Sequence, residues 1–240
     1  NGCAGFLEGI IQADMYIRDS KAAIAAVIGT ETLSKVCDEH DKDSMIYADG
    51  AGAFILEGVE SDEREGIISC VTKTVRYFKP KGSNVTDCSE YIYHGPSNNP
   101  NYDGYGGRRL FLKMVGPNVA QVAIEYVPKA IKKAIEEAGI YIDDVKLFLL
   151  HQANRKLDMD MALASGVKEE DLDDKVPIIL DRLGNSSVAT IPIMYDLINS
   201  RKLKNGNGHI FSLNPGDYIV MASVGAGIDV NAIVYKVPKQ

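Results

Sequence analysis

The sequence opens with Asn1-Gly2-Cys3-Ala4-Gly5-Phe6, a lone thiol followed at once by an apolar helical repeat. Phe6, Ile10, Ala13 and Ile17 recur at helical spacing, and Leu7 and Ile11 widen the same stripe, so a helix is expected to start just after Cys3. At a helix N-terminus, unpaired backbone N–H groups and the positive end of the helix dipole favour the thiolate, which is the nucleophilic form of cysteine. Gly2 and Gly5 relieve the sharp turn that pushes such a residue outward. The same six residues also fit an inert cysteine packed as a small hydrophobe, so the rest of the chain has to decide. A turn-borne nucleophile is normally delivered by a strand, and none precedes this one. An N-terminal portion of the fold is therefore expected to be missing.

At 240 residues, 45% hydrophobic and 25% charged, the chain can bury a sizeable core as one large domain or two small ones. A net charge of -7 argues against nucleic acid as a partner, because binding phosphates needs a basic face. Cys3, Cys37, Cys70 and Cys88 form no CxxC pair and no short spacing to histidine, so neither a zinc site nor a redox dithiol is indicated. Scattered thiols fit a reducing cytoplasm. No apolar run is long enough to span a bilayer, and nothing at the start resembles a signal peptide.

After the first helix, Ala22 to Ile28 is a continuous apolar run ending at Gly29 and reads as a buried strand. Asp49-Gly50-Ala51-Gly52-Ala53-Phe54-Ile55-Leu56 turns on two glycines into a second strand, and Ile67 to Tyr77 is a third. Residues 79–107 are rich in Gly, Pro, Asn, Ser and Tyr, an irregular stretch that is either an entrance wall or lid, or a solvated linker. Leu110 to Met114 and then Val119 through Ala138 read as a helical stripe, which Pro128 should kink or restart and Gly139 should cap. Lys146 to Leu150 is a short apolar strand running directly into His151-Gln152-Ala153-Asn154, and a strand end is where an α/β sheet exposes its working residues. A helix follows from Arg155. Val176 to Leu180 reads as another strand before the turn-rich Gly184-Asn185-Ser186-Ser187, and Tyr218 to Ser223 and Val230 to Val237 as two strands joined by Gly225-Ala226-Gly227. Alternating strands and helices point to α/β layers around a largely buried sheet.

Cys3, His151 and Asn185 each fall at a strand edge or turn beside small residues. Each taken alone also fits a packing or turn role. Together they supply a nucleophile and neutral donors for a thioester carbonyl or an enolate. Cys-Ala-Gly-Phe at 3–6, Gly-Thr-Glu-Thr at 29–32, Asp-Gly-Ala-Gly-Ala at 49–53, His-Gln-Ala-Asn at 151–154, Gly-Asn-Ser-Ser at 184–187 and the closing Gly-Ala-Gly resemble the β-ketoacyl-acyl-carrier-protein synthase III family of thiolase-fold condensing enzymes. The motifs come in the family's order and run nearly the whole chain.

The resemblance implies an α/β, thiolase-like layered fold (α-β-α-β-α) with its N-terminal half incomplete. Residues 1–78 would be the remainder of that half, 79–107 the irregular loop and 108–240 the C-terminal half. It implies decarboxylative condensation of an acyl-CoA with malonyl-acyl-carrier protein, initiating fatty acid biosynthesis, with no cofactor and no metal. Cys3 would carry the acyl group. His151, neutral, and Asn185 would donate hydrogen bonds to the malonyl thioester and its enolate. The backbone N–H of Cys3 and those of the Gly225 to Gly227 turn would hold the oxyanion. Asn154 would lie near the pantetheine arm, and Arg155 and Lys156 would meet the acidic carrier protein or serve as ordinary surface charge. A cytoplasmic homodimer, with no nucleic-acid or membrane partner, completes the expectation. Departures from the family pattern include Asn1-Gly2 before the cysteine, Ile228-Asp229-Val230-Asn231 after the last glycine turn, and the absence of Trp. They leave open a relative that acylates another acceptor, or a non-catalytic thiolase-fold partner subunit.

Overall fold

A computed structural model describes residues 1–102 and 109–239. A single 3-10 turn over Gly2–Ala4 leads without a break into α1 (Gly5–Arg18), which buries Phe6, Leu7, Ile10, Ile11 and Ala13, the stripe read from the sequence. Strands β1 (Ile24–Thr32) and β2 (Asp49–Glu57) form an antiparallel pair in register from Ile24 opposite Glu57 to Thr32 opposite Asp49. The apolar run at 22–28 is not a fully buried strand. Strand side chains alternate between faces, so Val27 is buried while Ile24 and Ile28 are exposed. Nor does the strand stop at Gly29, where a Cβ would come within 2.7 Å of the Val188 carbonyl oxygen. Glycine there lets β1 cross the Val188 backbone.

Next come β3 (Gly66–Thr74), the two-residue strands β4 (Tyr77–Phe78) and β5 (Thr86–Asp87), then β6 (Ile92–Gly95) and β7 (Phe111–Met114). The described part of 79–107 is thus not uniformly irregular, since β5 pairs with β4 and β6 pairs with β7. Residues 103–107 of the expected loop lie outside the described residues. Phe111–Met114 is a strand, not the start of a helix. Its alternate residues Phe111 and Lys113 are the buried ones. Helix α2 (Gly116–Ala138) runs unbroken through Pro128, which is itself buried. The continuous apolar stripe from Val119 to Ala138 outweighs the cost of an interior proline, about 3 kcal/mol. Gly139 caps the helix in the left-handed conformation at φ 72°.

Strand β8 (Val145–Leu150) is followed by α3 (Arg155–Ser165), the single turns α4 (Leu172–Lys175) and α5 (Leu180–Leu183), α6 (Thr190–Asn199), and the hairpin strands β9 (Tyr218–Gly225) and β10 (Asp229–Lys236). Val176 to Leu180 forms no strand. The buried Gln152 side chain takes up its backbone instead, donating to the Pro177 carbonyl (2.7 Å) and accepting from the N–H groups of Ile179 and Leu180 (2.9 Å each).

The central sheet has the order β3-β10-β9-β8, with β8 parallel to β9 and the other pairs antiparallel. Phe148 and Leu150 of β8 enter one apolar cluster with α2 and α3, while Leu147 and Leu149 enter a second with α1 and α6. Burial on both faces explains why β8 reads as an uninterrupted apolar run. On the far side of α1 and α6 lies the β1–β2 hairpin, joined to them by Phe6 against Phe54 (ring centroids 5.0 Å) and Phe54 against Tyr195 (4.9 Å). The stack is therefore α-β-α-β, four layers of the expected five. The outer face of the hairpin carries exposed Ile24, Ile28 and Ile55. No helix among the described residues is long and apolar enough to cross a membrane.

Candidate active site

Cys3 sits in the 3-10 turn ahead of α1, half-buried, and three contacts fix that turn. Within it, Ala4 N–H donates to the Asn1 carbonyl (3.1 Å). The Ala4 carbonyl in turn accepts from Nδ2 of Asn231, a fully buried residue of β10 (3.2 Å). Gly225, the last residue of β9, backs directly onto it. A Cβ at Gly225 would stand 2.3 Å from the Asn1 oxygen, 2.5 Å from the Ala4 nitrogen and 3.0 Å from the Cys3 nitrogen. Asn231 thus holds the nucleophile turn to the sheet.

His151 is the first residue beyond β8. Its N–H extends the parallel ladder to the Ala222 carbonyl (2.8 Å), and its ring is buried. Asn185, also buried, is tied by its backbone to the segment before β2. Its N–H donates to the Ile46 carbonyl (2.7 Å), and its carbonyl accepts from Ala48 N–H (2.8 Å). Its side-chain Oδ1 accepts from Ser187 N–H (2.9 Å), which leaves Nδ2 as the donor end of the amide. Ser187 holds φ at 53°, a conformation uncommon for a residue with a side chain and found most often where function demands it.

These elements bring Cys3 and His151 into contact. Burial alone would push the Cys3 thiol up. The charge of His151, a hydrogen bond from that ring and one from the Ser187 side chain outweigh burial and bring the thiol below its ordinary value, with Glu31 opposing. Burial would likewise lower His151. The Cys3 charge, the hydrogen bond between them, the Asp158 carboxyl and the Ser187 backbone instead raise it. Both shifts run in the direction that a thiolate–imidazolium pair requires.

The remaining expected residues have more local duties. Asn154 is exposed and caps α3, accepting from Leu157 N–H (2.9 Å). Arg155 pairs with Asp181 (2.8 Å) and Lys156 with Asp160, all at the surface, so nearby carboxylates already offset both cations. In the 225–227 turn, Ala226 is the residue against Gly2, whereas the missing side chain of Gly227 makes room for the Asp229 carboxylate. Sequence reasoning missed Ser187, Tyr47 and Asp158. Ser187 was visible inside the Gly-Asn-Ser-Ser motif. Burial and then the Cys3 charge raise the Tyr47 phenol well above its ordinary value, and nothing in the local sequence marks that residue.

This layered fold, with a cysteine at the head of a buried helix in contact with a histidine at a strand end and with Ser187 of the Gly-Asn-Ser-Ser turn, defines the thiolase-fold class. The sequence profile of 3-oxoacyl-[acyl-carrier-protein (ACP)] synthase III matches residues 1–75, and the profile of its C-terminal part matches residues 135–237. The chain belongs to that family. It is 31% identical over 237 residues to the beta-ketoacyl-[acyl-carrier-protein] synthase III of Clostridium acetobutylicum, and 29% identical over 235 residues to that of Chelativorans sp.. In both cases 98% of this chain is covered, and the chain spans about 65% of the relative's length. Among solved structures, synthase III of Thermus thermophilus superposes with a TM-score of 0.76 at 26% identity, covering 98% of this chain and 66% of that one. Synthase III of Aquifex aeolicus gives 0.75 at 25% identity, covering 98% and 65%.

Proposed function

We propose that the protein is a 3-oxoacyl-[acyl-carrier-protein] synthase III, condensing an acyl-CoA with malonyl-acyl-carrier protein at the start of fatty acid synthesis. The observation that carries this reading is the meeting of Cys3, at the head of α1, with His151 at the end of β8 and with Ser187 of the Gly-Asn-Ser-Ser turn, both of which hydrogen-bond the thiol. Cys3 thiolate attacks the acyl thioester carbonyl, and the developing oxyanion is held by backbone N–H groups of the Cys3 turn and of the 225–227 turn. The carbon–sulfur bond to coenzyme A breaks, and the leaving thiolate takes the proton of His151. His151 is now a neutral donor.

In the second half-reaction, His151 and Asn185 donate to the malonyl thioester oxygen. The carbon–carbon bond to the carboxylate breaks, carbon dioxide leaves, and the two donors stabilise the enolate. The enolate carbon attacks the acyl-Cys3 carbonyl, the Cys3 carbon–sulfur bond breaks, and the thiolate returns. A proton from solvent restores the imidazolium. No cofactor takes part in these steps.

Asn154 at the head of α3 would border the pantetheine arm, and Arg155 and Lys156, once released from Asp181 and Asp160, would meet the carrier protein. A homodimer in a reducing cytoplasm completes the reading, supported by four free cysteines among the described residues and by the apolar outer face of β1–β2. The division into 1–78, 79–107 and 108–240 belongs to the same proposal, with β3 paired into the sheet of the last stretch. Separate assays of acyl transfer to Cys3 and of carbon dioxide release from malonyl-carrier protein test the assignment. Acyl transfer without carbon dioxide release would point to another acceptor.

A further inference from the structure

The sheet face beneath α1 changes character as it nears Cys3. Ile233 of β10 lies opposite Met221 of β9, and both join the apolar cluster of α1. Two residues closer to the turn, the next positions on the same face are Asn231 of β10 and Ser223 of β9, again directly opposite each other and both buried. Asn231 Nδ2 donates to the Ala4 carbonyl (3.2 Å). Its Oδ1 has no hydrogen-bond partner among the described residues, and neither has Ser223 Oγ. Gly225 is the next residue of β9 on this face, the one that backs onto Asn1, Cys3 and Ala4. An amide, a hydroxyl and a missing side chain thus make the seat of the nucleophile turn. Burying an amide with its acceptor end unmet costs stability, and an aliphatic side chain like those of the preceding row would avoid that cost. The one side-chain bond that Asn231 makes among the described residues goes to the neighbour of Cys3.

We propose that Asn231 is a positioning residue for Cys3, its amide setting the turn so that the sulfur and the backbone N–H of Cys3 meet an incoming acyl carbonyl in the geometry for attack. This rests on Cys3 being the acylated nucleophile. Ala4 ends the 3-10 turn and is the N-cap of α1, so its peptide group belongs to both. A donor from β10 on that carbonyl ties turn and helix to the sheet at one point. A slide or roll of α1 over the sheet would break the bond and carry Cys3 with it. Acyl transfer is sensitive to such a movement, since a displacement of about 1 Å can cost roughly a hundredfold in rate. Asn231 touches no reacting atom in this scheme and acts through the Ala4 peptide. Alkylation of the sulfur by a small reagent needs the thiolate but no oxyanion site, and so depends far less on this placement.

The test compares two reactions of Cys3 in the full-length protein and its Asn231→Ala and Asn231→Leu variants. One is single-turnover acyl transfer from a short-chain acyl-CoA over a range of concentrations, and the other is alkylation by iodoacetamide, both mapped by mass. Melting curves are recorded alongside. The maximal rate of acyl transfer should fall roughly 10- to 100-fold in both variants, while the half-saturating concentration and the alkylation rate stay near those of the wild type. A merely structural role would shift the melting temperature and leave the maximal acyl-transfer rate of a folded variant in place, or lower acyl transfer and alkylation by the same factor. Either result would overturn the proposal, as would loss of a cooperative melting transition in both variants. A wild-type protein that iodoacetamide labels at Cys3 and acyl-CoA does not would instead remove the acyl-transfer reading itself, and the proposal with it.

Discussion

Gly225 stands so close to the turn bearing Cys3 that a single added methyl group would lie 3.0 Å from the Cys3 nitrogen and closer still to the Asn1 oxygen and Ala4 nitrogen. All three are backbone atoms and cannot swing aside, so the missing side chain is what lets β9 support the nucleophile from behind. Gly225→Ala should therefore displace the turn. Overpacking of this kind costs about 1–3 kcal/mol, and thermal melting of the variant should show it. Cys3 acylation should fall together with the melting temperature. An unchanged melting temperature would mean that the turn and the strand end are not in contact.

Asn185→Ala should separate the two half-reactions. Its Nδ2 is the donor end of an amide fixed by Ser187, and losing one such donor costs about 10²–10³ in rate. Carbon dioxide release should drop by that factor while acylation of Cys3 stays near the wild-type rate. His151→Ala should depress both, since the ring also lowers the Cys3 thiol. Equal and small losses in the two half-reactions would refute the assigned roles.

Buried charge makes a third test. Lys113 of β7 is buried and holds Asp38 (2.8 Å), Asp41 (3.1 Å) and the Asn98 side chain (2.9 Å), clamping the segment after β1 to the β6–β7 pair. Burial opposes the charge on Asp38, but Lys113 and the N–H groups of Asn98 and His40 outweigh it and hold the carboxyl far below its usual range. Lys113→Met would leave Asp38 buried without its cation, a loss of about 3 kcal/mol near neutral pH. Asp38 has a depressed folded pKa, so its contribution in the wild type is present above the ordinary carboxylate value and is lost as pH falls through the lower folded one. Urea unfolding should therefore show the gap between wild type and variant closing in acid. A gap independent of pH would contradict the ion-pair account.

Asp158 carries the opposite sign. Burial pushes its carboxyl up to about 7, against the pull of His151 and the Ala153 N–H. The fold therefore tolerates the neutral acid better than the carboxylate. Stability attributable to this group should fall as pH rises from about 4, the unfolded value, through about 7, and then level off. Asp158→Asn should consequently melt higher than the wild type at pH above 7, with the difference shrinking toward mildly acidic pH. Parallel melting curves across that range would show that Asp158 is not the buried titrating group described here.

The sequence made α1 and β8 legible and marked Cys3, His151 and Asn185 as candidates because each rests on a local pattern: a 3.6-residue apolar repeat, an apolar run ending in a polar motif, and a glycine turn. Where the reading failed, distant partners had taken over. Phe111–Met114 is a strand because it pairs with Ile92–Gly95, and its Lys113 finds carboxylates some seventy residues away; no periodicity encodes either. Val176 to Leu180 lost its strand to the Gln152 side chain. The apolar residues of β1 look like core in a linear reading, yet half of them face outward. Asp158 was invisible for a related reason, since an aspartate in a first helical turn usually stabilises the helix from the surface and only the packing of α3 buries it.

The central claim is that Cys3 accepts an acyl group, and intact mass measurement of the full-length protein before and after incubation with a short-chain acyl-CoA tests it most directly. The account predicts one acyl addition that maps to the peptide bearing Cys3, is lost in Cys3→Ala, and disappears with release of carbon dioxide when malonyl-carrier protein is added. No addition, or an addition that survives Cys3→Ala, would contradict it.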